Sequence, residues 1–139
     1  MNKKNTICFV NTTKTWGGGE KWHFEMATYL HKKGYNILVI ASPNSELSKK
    51  LAKEKVPQEN IKISNFSYVN FYKVNKVISF YNNHNVSTVV INSSQDMKLG
   101  GLAAKKANVK RIIYRRGSAI PIKNTFINRF FFRKVLTEV

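Results

Sequence analysis

Acidic residues are what this chain has least of. Seven Asp and Glu stand against 24 Lys and Arg over 139 residues, a formal charge of +17. Such an imbalance points to a polyanionic neighbour: nucleic acid, an anionic membrane surface or a phosphorylated ligand. A/T-rich coding, which also favours the abundant Asn, Ile, Tyr and Phe, raises lysine without function, but it does not thin out the acids. The charge is concentrated late, with eleven basic residues and no acidic one from Met97 to Thr137. Cysteine is nearly absent: Cys8 alone excludes an internal disulfide and a cysteine-based zinc site, and a reduced, cytosolic setting is the default. No apolar run approaches the ~18 residues of a membrane span, and the stretch after Met1 is too short for a secretory signal. His23, His31 and His84 lack metal-ligand spacing, and there is no G-x-S-x-G elbow, nucleotide P-loop or G-x-G-x-x-G fingerprint. No carboxylate pair follows the first strand, which argues against a phosphorelay receiver or magnesium phosphatase. No metal site and no catalytic residue are assigned.

What is present is alternation. Ile7–Val10, Ile37–Ala41, Val89–Ile91 and Ile112–Tyr114 are short apolar runs rich in β-branched residues, with Ile61–Ile63 a weaker candidate. Such runs suit strands buried on both faces. Between them lie helical patterns at Glu20–Lys33, Ser45–Glu54, Val69–Asn83, Asp96–Ala107 and Asn124–Val135. The alternation predicts βαβ units and one doubly wound α/β domain with a parallel sheet, spanning residues 1–139. In the first helix, Trp22, Met26, Tyr29 and Leu30 form a stripe expected to face the sheet, and Gly34 ends it. Ser93 and Asp96 fit a capping box. Cys8 reads as core, and His23 as half-buried packing rather than a base. Gly100 and Gly101 inside a helix call for close packing against the sheet or a ligand. The last residues, Leu136 to Val139, look like the approach to a further strand, so the expectation is a fragment of a longer protein.

Ligands in open parallel sheets bind outside the carboxyl ends of the strands, where three segments fall. Gly17, Gly18, Gly19 and Glu20 open the first helix and can present free N–H groups to a phosphate or a sugar hydroxyl, or can simply make a tight turn. Asn92, Ser93 and Ser94 can bond a hydroxylated ligand or cap the next helix. Arg115, Arg116 and Gly117 suit an anion, because guanidinium forks match phosphate oxygens, or form a solvated loop. In the last helix Phe126, Ile127, Phe130 and Phe131 share one face. Phe132 falls off it on the side of Arg129; with Arg133 and Lys134 this side reads as an interfacial membrane contact or as the solvated face of a core helix.

The run TWGGGEKWHFEMATYLHKKGYNILVIAS resembles the opening of the N-terminal domain of GT-B glycosyltransferases of family 4. The carriers are Gly18, Gly19 and Glu20, then Ala27, Leu30, Gly34 and Tyr35. The stretch VVINSSQDMKLGGLAAKKANVKRIIYRRGS is similar to that family's strand four, helix four and strand five. The resemblance implies a Rossmann-like, acceptor-side half of a two-domain enzyme, with a C-terminal domain that binds the nucleotide-diphosphate sugar donor and no further cofactor. It also implies that Gly17, Gly18 and Gly19 reach the donor pyrophosphate across a cleft, and retention of configuration. Where many members have His before Gly after strand five, this chain has Arg116 before Gly117, which suits charge stabilisation better than proton transfer. The expectation is therefore a domain of a glycosyltransferase for cell-surface polysaccharide or lipid-linked glycan, inactive alone, cytoplasmic and peripheral on the inner membrane face. Its competitor is a non-enzymatic basic α/β domain binding nucleic acid or another polyanion; no helix-turn-helix, RNP or zinc signature supports nucleic-acid binding.

Overall fold

A computed structural model describes residues 5–117, 121 and 123–136. Strands β1 (Thr6–Asn11), β2 (Asn36–Ala41), β3 (Gln58–Asn60), β4 (Val86–Ile91) and β5 (Arg111–Tyr114) form one parallel sheet in the order β3-β2-β1-β4-β5. The doubly wound expectation therefore holds. β1 lies at the centre: Phe9 pairs with Val39 of β2 on one side and Val90 of β4 on the other. Successive side chains of a strand point to opposite faces, so Cys8 and Val10 enter one core and Phe9 the other. All three are buried, and Ile7 before them is partly so, which leaves an unbroken apolar run.

Helices α1 (Gly18–Lys32) and α2 (Glu46–Lys53) cover the Phe9 face. The opposite face is covered by α3 (Phe71–Asn83), by α4 (Ser94–Asp96) running through a π turn (Met97–Gly101) into α5 (Leu102–Lys106), and by the segment after β5. That last segment is α6 (Phe126–Phe130) followed by a π turn at Phe131–Val135. Ser45 caps α2 through Ser48 N–H (3.1 Å), and Asn70 caps α3 through Lys73 N–H (3.2 Å). α1 ends on Gly34 at φ +86°, with Tyr35 N–H bonding Leu30 O (3.1 Å) and Gly34 N–H bonding His31 O (3.0 Å), a Schellman closure.

Four expectations change. The buried side of α1 is centred on His23 and Ala27, with Trp22, Met26 and Leu30 flanking, and Tyr29 stands outside at 57% exposure. The small Ala27 and the flat imidazole let the helix approach the sheet there, so the stripe is rotated from the bulky residues. β3 is Gln58–Asn60 rather than Ile61–Ile63; Ile61 gives β2 one further hydrogen bond, N–H to Ala41 O (2.9 Å), but both isoleucines lie beyond the strand, and their apolarity records burial in the core. The third helix begins at Phe71, after a 3₁₀ turn at Ser67–Val69. Finally, Phe132 turns inward: its ring meets Tyr114 edge-on at 5.1 Å between centroids. The wider π turn changes the angular step along the helix, so a projection at 3.6 residues per turn puts Phe132 on the wrong side. Exposed instead are Phe126, Ile127 and Phe130. Past Leu136 the expected approach to another strand lies outside the described residues.

The paired glycines have a structural reason. A Cβ on Gly100 would press on Val10 Cγ1 (3.3 Å) and Tyr81 Oη (3.4 Å), and one on Gly101 on Val135 Cγ1 (3.2 Å). Both are close approaches to the protein's own core, not to a ligand site.

Candidate functional site

In this strand order the chain reverses direction of winding between β1 and β4, and the loops leaving their carboxyl ends part there. A cleft of about 770 Å³ opens at that point. Its walls bring together Gly19 and Glu20 from the start of α1, Asn92 and Ser94 after β4, and Arg116 and Gly117 after β5. Gly17, Gly18, Ser93 and Arg115 do not line it.

Gly19 is the point of closest contact between two walls. A Cβ there would meet the side-chain amide of Asn92, which would have to move aside, so glycine lets α1 start close against the β4–α4 loop. Gly17 is the N-cap residue and no side chain caps it, so the first-turn amides keep their outward aim. The positive end of that helix is not bare, however. Glu20 is 6% exposed and accepts from Asn11 Nδ2 (3.3 Å), and its other oxygen lies against Gly17. A carboxylate in the first turn already meets the helix dipole. An anionic ligand in the cleft must therefore be balanced by Lys98, Arg116 and Lys123, which line the other walls.

Below the cleft, Asp96 ties its two central loops. It is fully buried and accepts from Thr12 N–H (3.0 Å), Thr12 Oγ1 and Ser93 Oγ (2.9 Å), while its own N–H bonds Ser93 Oγ (3.1 Å). Ser93 caps α4, and Asp96, accepting from the Ser93 hydroxyl, extends the cluster to the β1–α1 loop. Burial raises the Asp96 carboxyl above its ordinary value; the Thr12 and Ser93 hydrogen bonds pull the other way. Gln95 adds a second tie, Nε2 to Ile63 O at 2.7 Å, which anchors the segment after β3 beside the cleft.

The two arginines separate. Arg116 faces the cleft, whereas Arg115 lies over the Trp22 ring, 4.3 Å from its centroid, and donates from Nη1 to Asn92 Oδ1 (3.3 Å). Arg115 thus holds Asn92 in place from behind. His23 is no base: it is fully buried, edge-on to Phe9 at 5.4 Å, and among the described residues neither ring nitrogen has a partner. Burial, and then the Arg115 charge, lower its pKa to about 3. Burial likewise pushes the Cys8 thiol far up, which removes it as a nucleophile. Among the described residues no three of His, Cys, Asp and Glu gather to hold a metal, and no helix is long and apolar enough to cross a membrane.

Sequence reasoning missed Asn65, Phe66 and Tyr68, which form the cleft wall beyond β3, and Lys98, Tyr114 and Lys123. Strand order was the only signal for the first group: any loop leaving a parallel strand's carboxyl end joins this edge.

A family model described as "Glycosyl transferase 4-like" matches residues 6–137. No curated protein matches the sequence. A glycosyltransferase structure from Rickettsia africae is similar at 24% identity and TM-score 0.77, over 91% of this chain and 33% of that one. Acinetobacter baumannii MurG is similar at 18% identity and TM-score 0.72, over 98% and 41%. Anabaena HepE, solved in complex with UDP-glucose, is similar at 17% identity and TM-score 0.62, over 78% and 28%. The chain thus spans about a third of the length of these structures, and at these identities the likeness is one of fold.

Proposed function

The chain belongs to the glycosyl transferase 4-like family, and on that premise we propose that it is the acceptor-side domain of a nucleotide-sugar-dependent glycosyltransferase. The observation that carries this is the cleft at the β1/β4 parting, with an uncapped helix start on one wall and Lys98, Arg116 and Lys123 on the others. The UDP-glucose bound to HepE supports a nucleotide-diphosphate sugar as donor. A C-terminal domain of the same enzyme supplies the donor pocket, and the 139-residue chain alone does not turn over.

In the reaction the acceptor hydroxyl bonds the anomeric carbon as the bond from that carbon to the diphosphate oxygen breaks, and the hydroxyl proton passes to the leaving diphosphate oxygen. Negative charge builds on the leaving diphosphate, and Arg116 stabilises it. Gly19, the glycine of that run that lines the cleft, lets the diphosphate approach the helix start, while Asn92 and Ser94 orient acceptor hydroxyls. The product is a cell-surface polysaccharide or lipid-linked glycan, made on the cytoplasmic side of the membrane. Arg129, Arg133 and Lys134, all exposed, contribute attraction to anionic lipid.

The test is transfer of labelled sugar by the native gene product, whatever its length, from a panel of nucleotide sugars. Transfer that disappears in Gly19→Val, with the fold retained by circular dichroism, is the expected result. A native product that neither transfers nor hydrolyses any of them overturns the reading.

A further inference from the structure

Arg115 carries its charge to a place where the cleft does not meet it directly. With Trp22, Val90 and Ile113 it lines a groove on the α1 face of the sheet, whereas the cleft opens at the carboxyl edge. The sheet sets that direction. Arg115 N–H bonds Ile91 O (2.8 Å), one rung past the end of β5, so the alternation that sends Ile113 toward α1 sends Arg115 there too. Its guanidinium lies 4.3 Å over the Trp22 ring and packs against Gly117, where a Cβ would press it aside. Trp22 in turn meets Phe9 of the central strand edge-on, at 6.3 Å between centroids.

From that brace the guanidinium reaches Asn92 Oδ1 (3.3 Å). A guanidinium has only donors, so the amide must turn its oxygen to it. The amino group is sent the other way, and Nδ2 is the Asn92 atom nearest Gly19. Asn92 and Gly19 both line the cleft. An asparagine free to flip can offer a carbonyl or an amino group; this one offers the cleft its N–H alone. Gly19 and Trp22 lie three residues apart at the start of α1, so one helix seats both ends of the line Trp22–Arg115–Asn92–Gly19.

We propose that Arg115 is a positioning residue for sugar transfer: propped on Trp22, it fixes the Asn92 amide as a donor, and the substrate meets that donor with an oxygen lone pair. A ligand with an amino group at that point finds no acceptor on Asn92, so the amide selects a hydroxyl, carbonyl or phosphate oxygen over an amine. The substrate half of this statement rests on the transferase reading; the fixed amide does not.

A double-mutant cycle on the native gene product tests the substrate half. Arg115→Met and Asn92→Ala should each lower kcat/KM about tenfold or more, and the double variant no further than the worse of the two, because Arg115 acts through Asn92. Asn92→Asp, which keeps an oxygen for Arg115 but has no N–H, should be as poor as Asn92→Ala. A rise in KM for the acceptor alone assigns the bonded oxygen to the acceptor; a rise for the nucleotide sugar alone assigns it to the diphosphate. Additive losses, or a parent-like Asn92→Asp, would overturn the proposal. The amide itself is read by NMR without turnover, in native product labelled with nitrogen-15 asparagine. The Asn92 NH2 pair, identified by its loss in Asn92→Ala, should move to the position of solvent-exposed asparagines in Arg115→Met and part of the way in Trp22→Leu. A pair that Arg115→Met leaves unmoved sinks the fixed amide whatever the activity. A pair that moves in a product handling no nucleotide sugar sinks the transferase reading alone.

Discussion

At the amino edge of the sheet α1, α2, α3 and α5 return to a strand through one device, whereas at the carboxyl edge the connections differ in length and in the side chains they carry. Each of those four helices ends on a single left-handed residue, Gly34, Lys55, Asn85 and Asn108, at φ between 51° and 86°. In α2 and α5, as in α1, the following N–H reaches back to the helix: Val56 to Leu51 O (3.0 Å) and Val109 to Ala104 O (2.9 Å). The carboxyl edge instead has a glycine run, a seryl cap, an aromatic 3₁₀ turn and an arginine loop. One edge is repeated because it only has to stop helices; the other varies because each loop meets something different. The scaffold and the site thus share a sheet yet divide its ends between them.

Substitutions should break the edges differently. The largest effect is expected from Asp96→Ala, which strands the Thr12 and Ser93 donors and costs about 3 kcal/mol in urea unfolding. Amide exchange in that variant should speed up in the Thr12–Gly19 loop and stay slow at the start of β4; uniform loss across both would mean that Asp96 holds the whole domain and not the cleft edge.

His23 comes next, through pH. Its pKa falls from an ordinary 6.5 to about 3, so between those values the unfolded chain holds a proton that the fold refuses. Stability therefore drops as pH falls through 6.5 and stops dropping near 3, a loss of about 2 kcal/mol at pH 5. His23→Leu should flatten that slope; a parent-like slope in the variant would shift the acid sensitivity to another group.

Gly34→Ala forces a Cβ into a left-handed turn and should cost about 1 kcal/mol. The same change at Gly18, which has open space and no left-handed angle, should cost less. At the small end, Phe71→Ser should move stability by no more than about 0.5 kcal/mol, since the ring touches solvent. A larger loss would show that the ring is part of the core.

Much of the scaffold was legible because double burial leaves an apolar signature: β1, β2, β4 and β5 were read from runs that contain little else. β3 escaped because an edge strand of Gln, Glu and Asn carries no such mark, and the nearby isoleucines do. The rotation of α1 escaped because size was taken for burial, while Ala27 and His23 make the contact. π turns hide from any fixed period, and with them went the inward Phe132. At the site, the glycines, Asn92 and Arg116 stood out as local chemistry. Lys98, Asn65 and Thr12 did not, since nothing near them in sequence says that strands 50 or more residues apart bring them together.

The central position of β1 has a consequence for how the chain is made. Thr6 pairs with Val86, and Ile7 with Thr88, so β1, once made, waits for a partner 80 residues behind it. At about 5–20 residues per second that interval lasts about 4–16 s. During it β1 and β2 can pair, but the Cys8 and Val10 face stays bare until α3, β4 and α5 emerge. The half-made domain is a sticky ribbon for those seconds, and slowing translation anywhere between β1 and α5 should lengthen its exposure to chaperones.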